Sequence, residues 1–326
     1  MEVDLLKLMN LENAYVIIEK RFKKNLIESC KTIFGNYKRL EKHLSKKLKR
    51  KIYKGSISQW NSYKVSIPLD VVYELIDIHN SLYTEKIRED DLKKHIIGIA
   101  IGKSKGGTSK HLLNPKFRIK INKKLANLLG HLIADGAEHN NKRFTYANER
   151  DELINEVIEE INECFGKIDL HIREEVKRGS KIKIVYIPRI IWIIIKKFHN
   201  EFGSKRATVP KLIWESNKII KASFLRALFD DEGSVYIKEK KIKIKLANLK
   251  LISQIKRLLK ELLIDTGKIQ RDNNCYLINI CGLDDLTRYS NLIGFTHKIK
   301  RKKLEAILNS YKYKKDIIDD VPLFLI

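Results

Sequence analysis

Leu128-Leu-Gly-His-Leu-Ile-Ala-Asp-Gly136 is the stretch that decides the fold, and Leu225-Arg-Ala-Leu-Phe-Asp-Asp-Glu-Gly233 is its near copy. Leu125, Leu128, Leu129, Leu132 and Ile133 fall at helical spacing in the first, as do Phe224, Leu225, Leu228 and Phe229 in the second. Each copy reads as an apolar helix that ends in an acid followed by glycine. Gly130 and Ala227 hold the same position, and a small residue there lets two helix backbones approach closely. Gly136 and Gly233 are expected to stop their helices in the left-handed conformation, which glycine adopts without steric cost.

The chemistry lies in the acids just before those glycines, Asp135 and Glu232. A carboxylate at a helix C-terminus faces the negative end of the macrodipole, at a cost of roughly 0.3–1 kcal/mol. If the helices pack together, the two carboxylates also repel each other. A divalent cation removes both penalties. Hard cations such as Mg²⁺ take oxygen ligands and keep water and substrate phosphate in their shell, so such a pair can assemble metal at a phosphodiester. One copy alone would be an ordinary Asp-Gly turn after a core helix; two copies in one apolar pattern argue otherwise.

The two stretches resemble the paired LAGLIDADG motifs of the homing endonucleases, in the single-chain, two-repeat form. The first departs from the archetype at Leu129, at His131, which stands for a leucine, and in its shuffled aliphatics. The resemblance covers roughly residues 119–310. It implies an enzyme that cuts both strands of a long, imperfectly palindromic DNA duplex across the minor groove, leaving short 3′ overhangs. Asp135 and Glu232 would be catalytic and bind Mg²⁺, or Mn²⁺ in its place, with the carbonyls of Ala134 and Asp231 as further metal ligands. Gly294-Phe-Thr-His-Lys-Ile-Lys300 resembles the family's Gly-Phe-x-x-x-x-Lys segment, which makes Lys300 the third catalytic candidate. The lysine the family often places three before a proline is missing, because Ala207 stands there before Pro210; Lys205 or Arg206 is its candidate substitute.

Outward from the motifs, residues 119–313 show α-β-β-α-β-β-α written twice, over about 119–213 and 214–313. In both halves the acid-glycine end leads to an Ala-Asn pair (Ala147-Asn148, Ala247-Asn248), then a helix (149–164, 249–263) and two strands (168–177 with 181–187; 267–271 with 274–281). A third helix ends in Asn-x-x-Gly at Asn200–Gly203 and Asn291–Gly294. The expected fold class is α/β (α+β): two pseudo-symmetric repeats forming a DNA-binding saddle. Each half should leave one sheet face apolar for helices and the other free and basic.

The resemblance does not reach the first hundred residues. Residues 1–35 read as helical, through Val16, Ile17, Phe22, Leu26, Ile27 and Ile33. Residues 36–54 carry nine Lys/Arg against Glu41 alone. Tyr37–Leu48 reads as a helix, Lys54-Gly55 as a turn, Ser56 as a cap, Ile57–Tyr63 as a short helix, and Pro68 as the start of another. This resembles a small all-helical helix-turn-helix module over 1–100. Ser58, Gln59 and Asn61 would meet base edges, and Lys46, Lys47 and Lys49 phosphates. A solvated basic face is the plainer alternative. Gly102–Lys110, with Lys103 and Lys105, reads as part of a flexible basic linker over 101–118, so the two parts should fold separately. Residues 296–315 hold eight Lys/Arg, among them Lys298, Lys300 and Arg301 as nucleic-acid contacts, and 314–326 would be a tail.

The net charge of +26 points to a polyanionic partner, with duplex DNA leading. No apolar run reaches the ~18 residues that span a bilayer, and Met-Glu-Val-Asp is no signal peptide. Cys30, Cys164, Cys275 and Cys281 have no metal-type spacing and read as reduced, so an intracellular, nucleoid-associated protein is expected in the cytoplasm. The chain begins at Met1 rather than Cys or Ser and ends at Ile326 rather than His-Asn, so an intact intein is not expected. Internal pseudo-symmetry predicts a monomer. Two further readings stand beside the nuclease: a transcription regulator or repair factor on the same fold, and an RNA-binding intron maturase.

Overall fold

The computed structural model describes residues 2–8, 14–61, 65–101, 113–139, 143–177 and 179–319. Lys103, Lys105 and the end of the expected recognition helix (62–63) lie outside them. The N-terminal region runs β1 (Glu2–Asp4), α1 (Leu5–Leu8), β2 (Ala14–Ile18), α2 (Lys20–Phe34), α3 (Tyr37–Lys47), α4 (Ser56–Trp60), β3 (Ile67–Pro68), α5 (Leu69–Leu82), α6 (Glu89–His95), β4 (Ile96–Ile101), β5 (Asn114–Pro115) and β6 (Arg118–Lys120).

The expectation of an all-helical N-terminal module is therefore corrected. Ala14–Ile18 is a strand whose buried residues alternate with half-buried ones, and it is the middle of a sheet ordered β3-β2-β4. Its β-branched run suits a pleated surface better than a helix. The flexible linker is corrected too, for its described part. Leu113 bridges Ile99, β5 pairs with β9 (Gly166–Lys167), and β6 pairs with β1. The N-terminal region is thus stitched onto the first repeat by backbone hydrogen bonds, and one apolar core runs through both, from Leu5 and Val16 to Leu128 and Ile191.

The repeats appear as read. The first is α7 (Lys123–Ala134), β7 (Gly136–His139), β8 (Arg143–Asn148), α8 (Asp151–Phe165), β10 (His171–Lys177), β11 (Ser180–Ile187) and α9 (Arg189–Phe198), with β9 as an added pairing strand. A short α10 (Lys211–Trp214) leads to the second: α11 (Lys218–Glu232), β12 (Gly233–Tyr236), β13 (Lys241–Leu246), α12 (Leu249–Glu261), β14 (Gln270–Asp272), β15 (Cys275–Cys281) and α13 (Leu283–Leu292). Each sheet is antiparallel, and with strands numbered within each repeat both have the order one-two-four-three: β7-β8-β11-β10 and β12-β13-β15-β14. α14 (Lys298–Asp319) follows, so the expected tail is helix as far as Asp319.

α7 and α11 pack side by side. A Cβ on Gly130 would stand 2.6 Å from the Phe224 carbonyl and 2.7 Å from the Ala227 Cβ, so glycine there permits the close approach. The terminal glycines work differently from expectation. Gly233 has φ −76°, and neither it nor Gly136 has the positive φ of a left-handed stop. The chain turns straight into a strand, and a Cβ on Gly136 would lie 2.1 Å from the Leu132 carbonyl and 2.6 Å from the Phe144 ring. Lack of space, not backbone handedness, demands glycine.

The free faces of the two sheets are unlike. In the second, Ser234, Lys243 and Asn279 lie in register beside Tyr236, Lys241 and Cys281, with Lys245 next along, while Val235, Ile242, Ile244 and Ile280 face the helices. In the first, the corresponding face holds Thr145, Ala147, Ile182, Ile184 and Tyr186, with Arg173 paired to Glu175 at 3.5 Å. The expectation of a basic free face holds for the second repeat; in the first, the described side chains of that face are mostly uncharged, and its Arg143 and Lys177 side chains lie outside the described residues.

Candidate active site

The close approach of α7 and α11 brings Asp135 and Glu232 to adjoining helix ends. Burial raises both carboxyls. Asp135 is pushed up to about 8, with repulsion from Asp231 and Glu232 adding to burial; Glu232 is pushed up to about 7, with repulsion from Asp231 opposed by Lys300. Asp135 accepts a hydrogen bond from the Asn148 amide at 3.0 Å.

Lys300 reaches the same place from α14. Its ammonium donates to the carbonyls of Phe229 (3.1 Å), Asp230 (2.5 Å) and Asp231 (3.3 Å) at the C-terminal end of α11, the first of which also accepts the Gly233 N–H. Burial lowers its pKa against the pull of the surrounding acids. Asp230 holds α14 in place: it accepts the backbone N–H groups of Thr296 (3.0 Å) and His297 (2.9 Å) at that helix's start. Burial raises Asp230 to about 6, while those N–H groups pull the other way.

Several side-chain roles here go beyond the expectations, which name Asp231 only for its carbonyl and His131 only as a departure from the motif. Asp231 is fully buried and takes three donors: the His131 ring at 2.9 Å, the Tyr146 hydroxyl at 2.9 Å and the Asn148 amide at 3.2 Å. Burial opposes charge on His131, but Asp231 outweighs it and raises the imidazole well above its ordinary range. Beyond it, Arg226 ties Asn127 to Glu156, each at 3.1 Å, and the His131 charge reaches buried Glu160. The Ala147-Asn148 pair was legible as a repeat marker. Its role was not, because its twin behaves differently: Asn248 caps α12 and donates to the Ala207 carbonyl at 2.7 Å.

Two carboxylates and a helix-end carbonyl suit a hard, oxygen-liganded cation. Among the described residues no three His, Cys, Asp or Glu converge as a metal site, and Lys300 already engages the Asp231 carbonyl. The donor set fits a cation that completes its shell from water and phosphate.

The other candidates fall apart in space. Ala207 is fully buried, which explains why no lysine stands there; Lys205 and Arg206 are exposed in the preceding turn, with no hydrogen bond to Asp135 among the described residues. Lys298 and Arg301 lie exposed on α14. Lys46, Lys47, Lys49, Ser58 and Gln59 are exposed at α3 and α4, but Asn61 turns inward to Glu28 (3.3 Å) and Tyr37 (3.5 Å). Gly55, not Ser56, is the N-cap of α4, at φ 82°. The four cysteines are free thiols, and no described helix is long and apolar enough to cross a membrane.

The LAGLIDADG-like domain matches residues 220–294, from within α11 to Gly294. The chain is 31% identical over 245 residues to the glutamine–fructose-6-phosphate aminotransferase of Methanocaldococcus jannaschii, covering 70% of this chain and 22% of that protein. It is 28% identical over 204 residues to the replication factor C small subunit of Thermococcus kodakarensis, covering 60% and 22%. The chain thus spans about a fifth of the length of these curated relatives. Among solved structures, full-length DUF199/WhiA from Thermatoga maritima has a TM-score of 0.44 at 18% identity, covering 60% of this chain and 61% of that one. I-DmoI in complex with DNA and Mn has 0.39 at 18%, covering 54% and 98%. The chain thus carries a LAGLIDADG-like domain over residues 220–294, and its first repeat has the same strand order as the second.

Proposed function

We propose that this chain is a site-specific DNA endonuclease that hydrolyses phosphodiester bonds in both strands of a duplex with divalent metal. The observation that carries the reading is the Asp135–Glu232 pair. Two half-buried carboxyls at adjoining helix ends are raised to about 8 and about 7, an arrangement costly to a folded protein unless something positive joins it. Asp135, Glu232 and the Ala134 carbonyl would hold Mg²⁺ or Mn²⁺, which when bound supplies charge neutralisation and a more acidic water. Asn148 fixes the orientation of Asp135, and Lys300 sets positive charge beside Glu232. Lys241 and Lys243 would draw the phosphate backbone onto the second sheet, beside Lys245, which Asp272 pairs at 2.7 Å. The net charge of +26 favours such a polyanion.

Asp135→Asn and Glu232→Gln should each abolish double-strand cleavage in a Mg²⁺-dependent screen over randomised duplex sites. Binding should stay within about tenfold, because phosphate contacts supply most of the affinity. Loss of binding in a folded variant would make these acids structural.

One observation favours a second reading, a DNA-binding regulator that does not cut. The Lys300 ammonium already neutralises the end of α11 without metal. Tight duplex binding with no cleavage in Mg²⁺ or Mn²⁺ would select it, and stronger competition by structured RNA than by duplex DNA would select the maturase.

A further inference from the structure

The contact between His131 and Asp231 exists on one side of the pseudo-twofold only. In the aligned motifs His131 corresponds to Leu228, and Asp231 to Ala134. The symmetric counterpart would therefore join a leucine to an alanine, and neither could make the bond. The pair is fully buried, with the ring and carboxylate 2.9 Å apart. The other Asp231 oxygen accepts from Tyr146 (2.9 Å) and Asn148 (3.2 Å), and the same Asn148 amide donates to Asp135 at 3.0 Å. A chain of contacts thus runs from α7 to the end of α11 and back, through a strand of the first sheet, to the first acid. Among the described residues Glu232 has no such chain; the charge that meets it is Lys300.

We infer that His131 and Asp231 form a positioning pair: through Asn148 they set the orientation of Asp135, so that the first acid is held in place from the second repeat and the two acids are non-equivalent. This rests on the nuclease reading above. His131 touches no reacting atom; it fixes Asp231, Asp231 fixes the Asn148 amide, and the amide fixes Asp135. A buried histidine-carboxylate pair that served cohesion alone would be replaceable by the leucine and alanine that the chain itself uses at the symmetric positions.

That replacement is the experiment. The parent, His131→Leu, Asp231→Ala and the double variant are compared by thermal melting, by Mn²⁺ affinity from electron paramagnetic resonance, and by strand-resolved nicking of a labelled duplex. Asp135→Asn identifies the strand that depends on Asp135. The single variants should melt lower, since each strands one buried charge. The double variant should recover part of the melting temperature, since Glu156, 3.6 Å from the ring, also loses its partner, yet bind Mn²⁺ ~10-fold more weakly and nick the Asp135-dependent strand ~10-fold more slowly relative to the other, the scale on which outer-shell partners act. A double variant with parental Mn²⁺ affinity and strand ratio overturns the inference and leaves the nuclease reading intact. A parent that cuts no DNA, but whose Mn²⁺ affinity drops in the double variant, removes the nuclease reading and keeps the pair. A parent that neither cuts nor binds Mn²⁺ removes both.

Discussion

Gly136 and Gly55 show how differently two glycines constrain one chain. A Cβ at Gly136 would strike the Leu132 carbonyl at 2.1 Å, which is backbone and cannot yield. Gly136→Ala should cost about 1–3 kcal/mol by overpacking. At Gly55 nothing lies within 4 Å, and only φ 82° resists a side chain. Gly55→Ala should cost about 1–2 kcal/mol, the left-handed penalty alone. Urea midpoints measure both, and a Gly136→Ala protein as stable as its parent would contradict the packing. The identity of both motif glycines was legible from the repeat; the reason for them was not, because the obstructing atoms belong to a helix turn and to Phe144, a ring on another strand. Asn61 makes the same point. Its side chain suits a base edge, but Glu28 and Tyr37 hold it, so of the proposed readers at α4 only Ser58 and Gln59 remain exposed.

At the scale of elements, the second sheet should anchor DNA more strongly than the first. Lys241 and Lys243 line its free face beside Lys245, which Asp272 meets at 2.7 Å, whereas among the described side chains the first sheet offers Arg173 paired with Glu175 at 3.5 Å. Changing Lys241 and Lys243 to alanine should weaken duplex binding and lower the slope of log affinity against log salt by up to about 1.8, at about 0.9 for each phosphate no longer neutralised. Arg173→Ala should leave the slope within error. Equal weakening from both sheets, read by a salt titration of fluorescence anisotropy, would contradict the asymmetry. The lysine alternation in β13 was visible as Lys-Ile-Lys-Ile-Lys, and so was the strand. Arg173 meets Glu175 two residues along its own strand, a pairing the alternation could show, whereas the partners of Lys183 (Asp151, at a helix start) and Lys245 (Asp272, on another strand) were supplied by the fold alone.

For the whole molecule, buried acids set the pH dependence. Asp135 and Glu160 are raised to about 8, Glu232 to about 7 and Asp230 to about 6, in each case chiefly by burial. The folded state therefore binds more protons than the unfolded chain between about pH 4 and 8, and stability falls as pH rises through that window. His131, raised as well, acts in the same direction above its ordinary value of 6.5. Melting temperature should drop from pH 5 to pH 8, and Mg²⁺ should restore more of it at pH 8, where the carboxyls can ionise onto the cation. A melting temperature that rises with pH would refute this. The shared core makes a second expectation: a fragment starting at residue 118 loses β1, β5 and the cover over Ile119, so it should aggregate or melt lower. A monodisperse fragment with the parental melting temperature, seen by size exclusion and calorimetry, would show the two parts to be separable after all.

By itself the sequence determined the paired helices, the doubled α-β-β-α-β-β-α order, the two acids and the large positive charge. Each of these follows from periodicity or composition, properties that neighbouring residues carry among themselves. Only the tertiary structure decided that Lys300 lies on the last carbonyls of α11, that Asp230 docks the helix bearing it, that His131 meets Asp231 and not a copy of itself, and that β1 and β5 bind the N-terminal region to the first repeat. Those contacts join residues far apart in the chain. Close packing at Gly130 and Ala227 brings them together, and no local pattern encodes which side chain then stands opposite which.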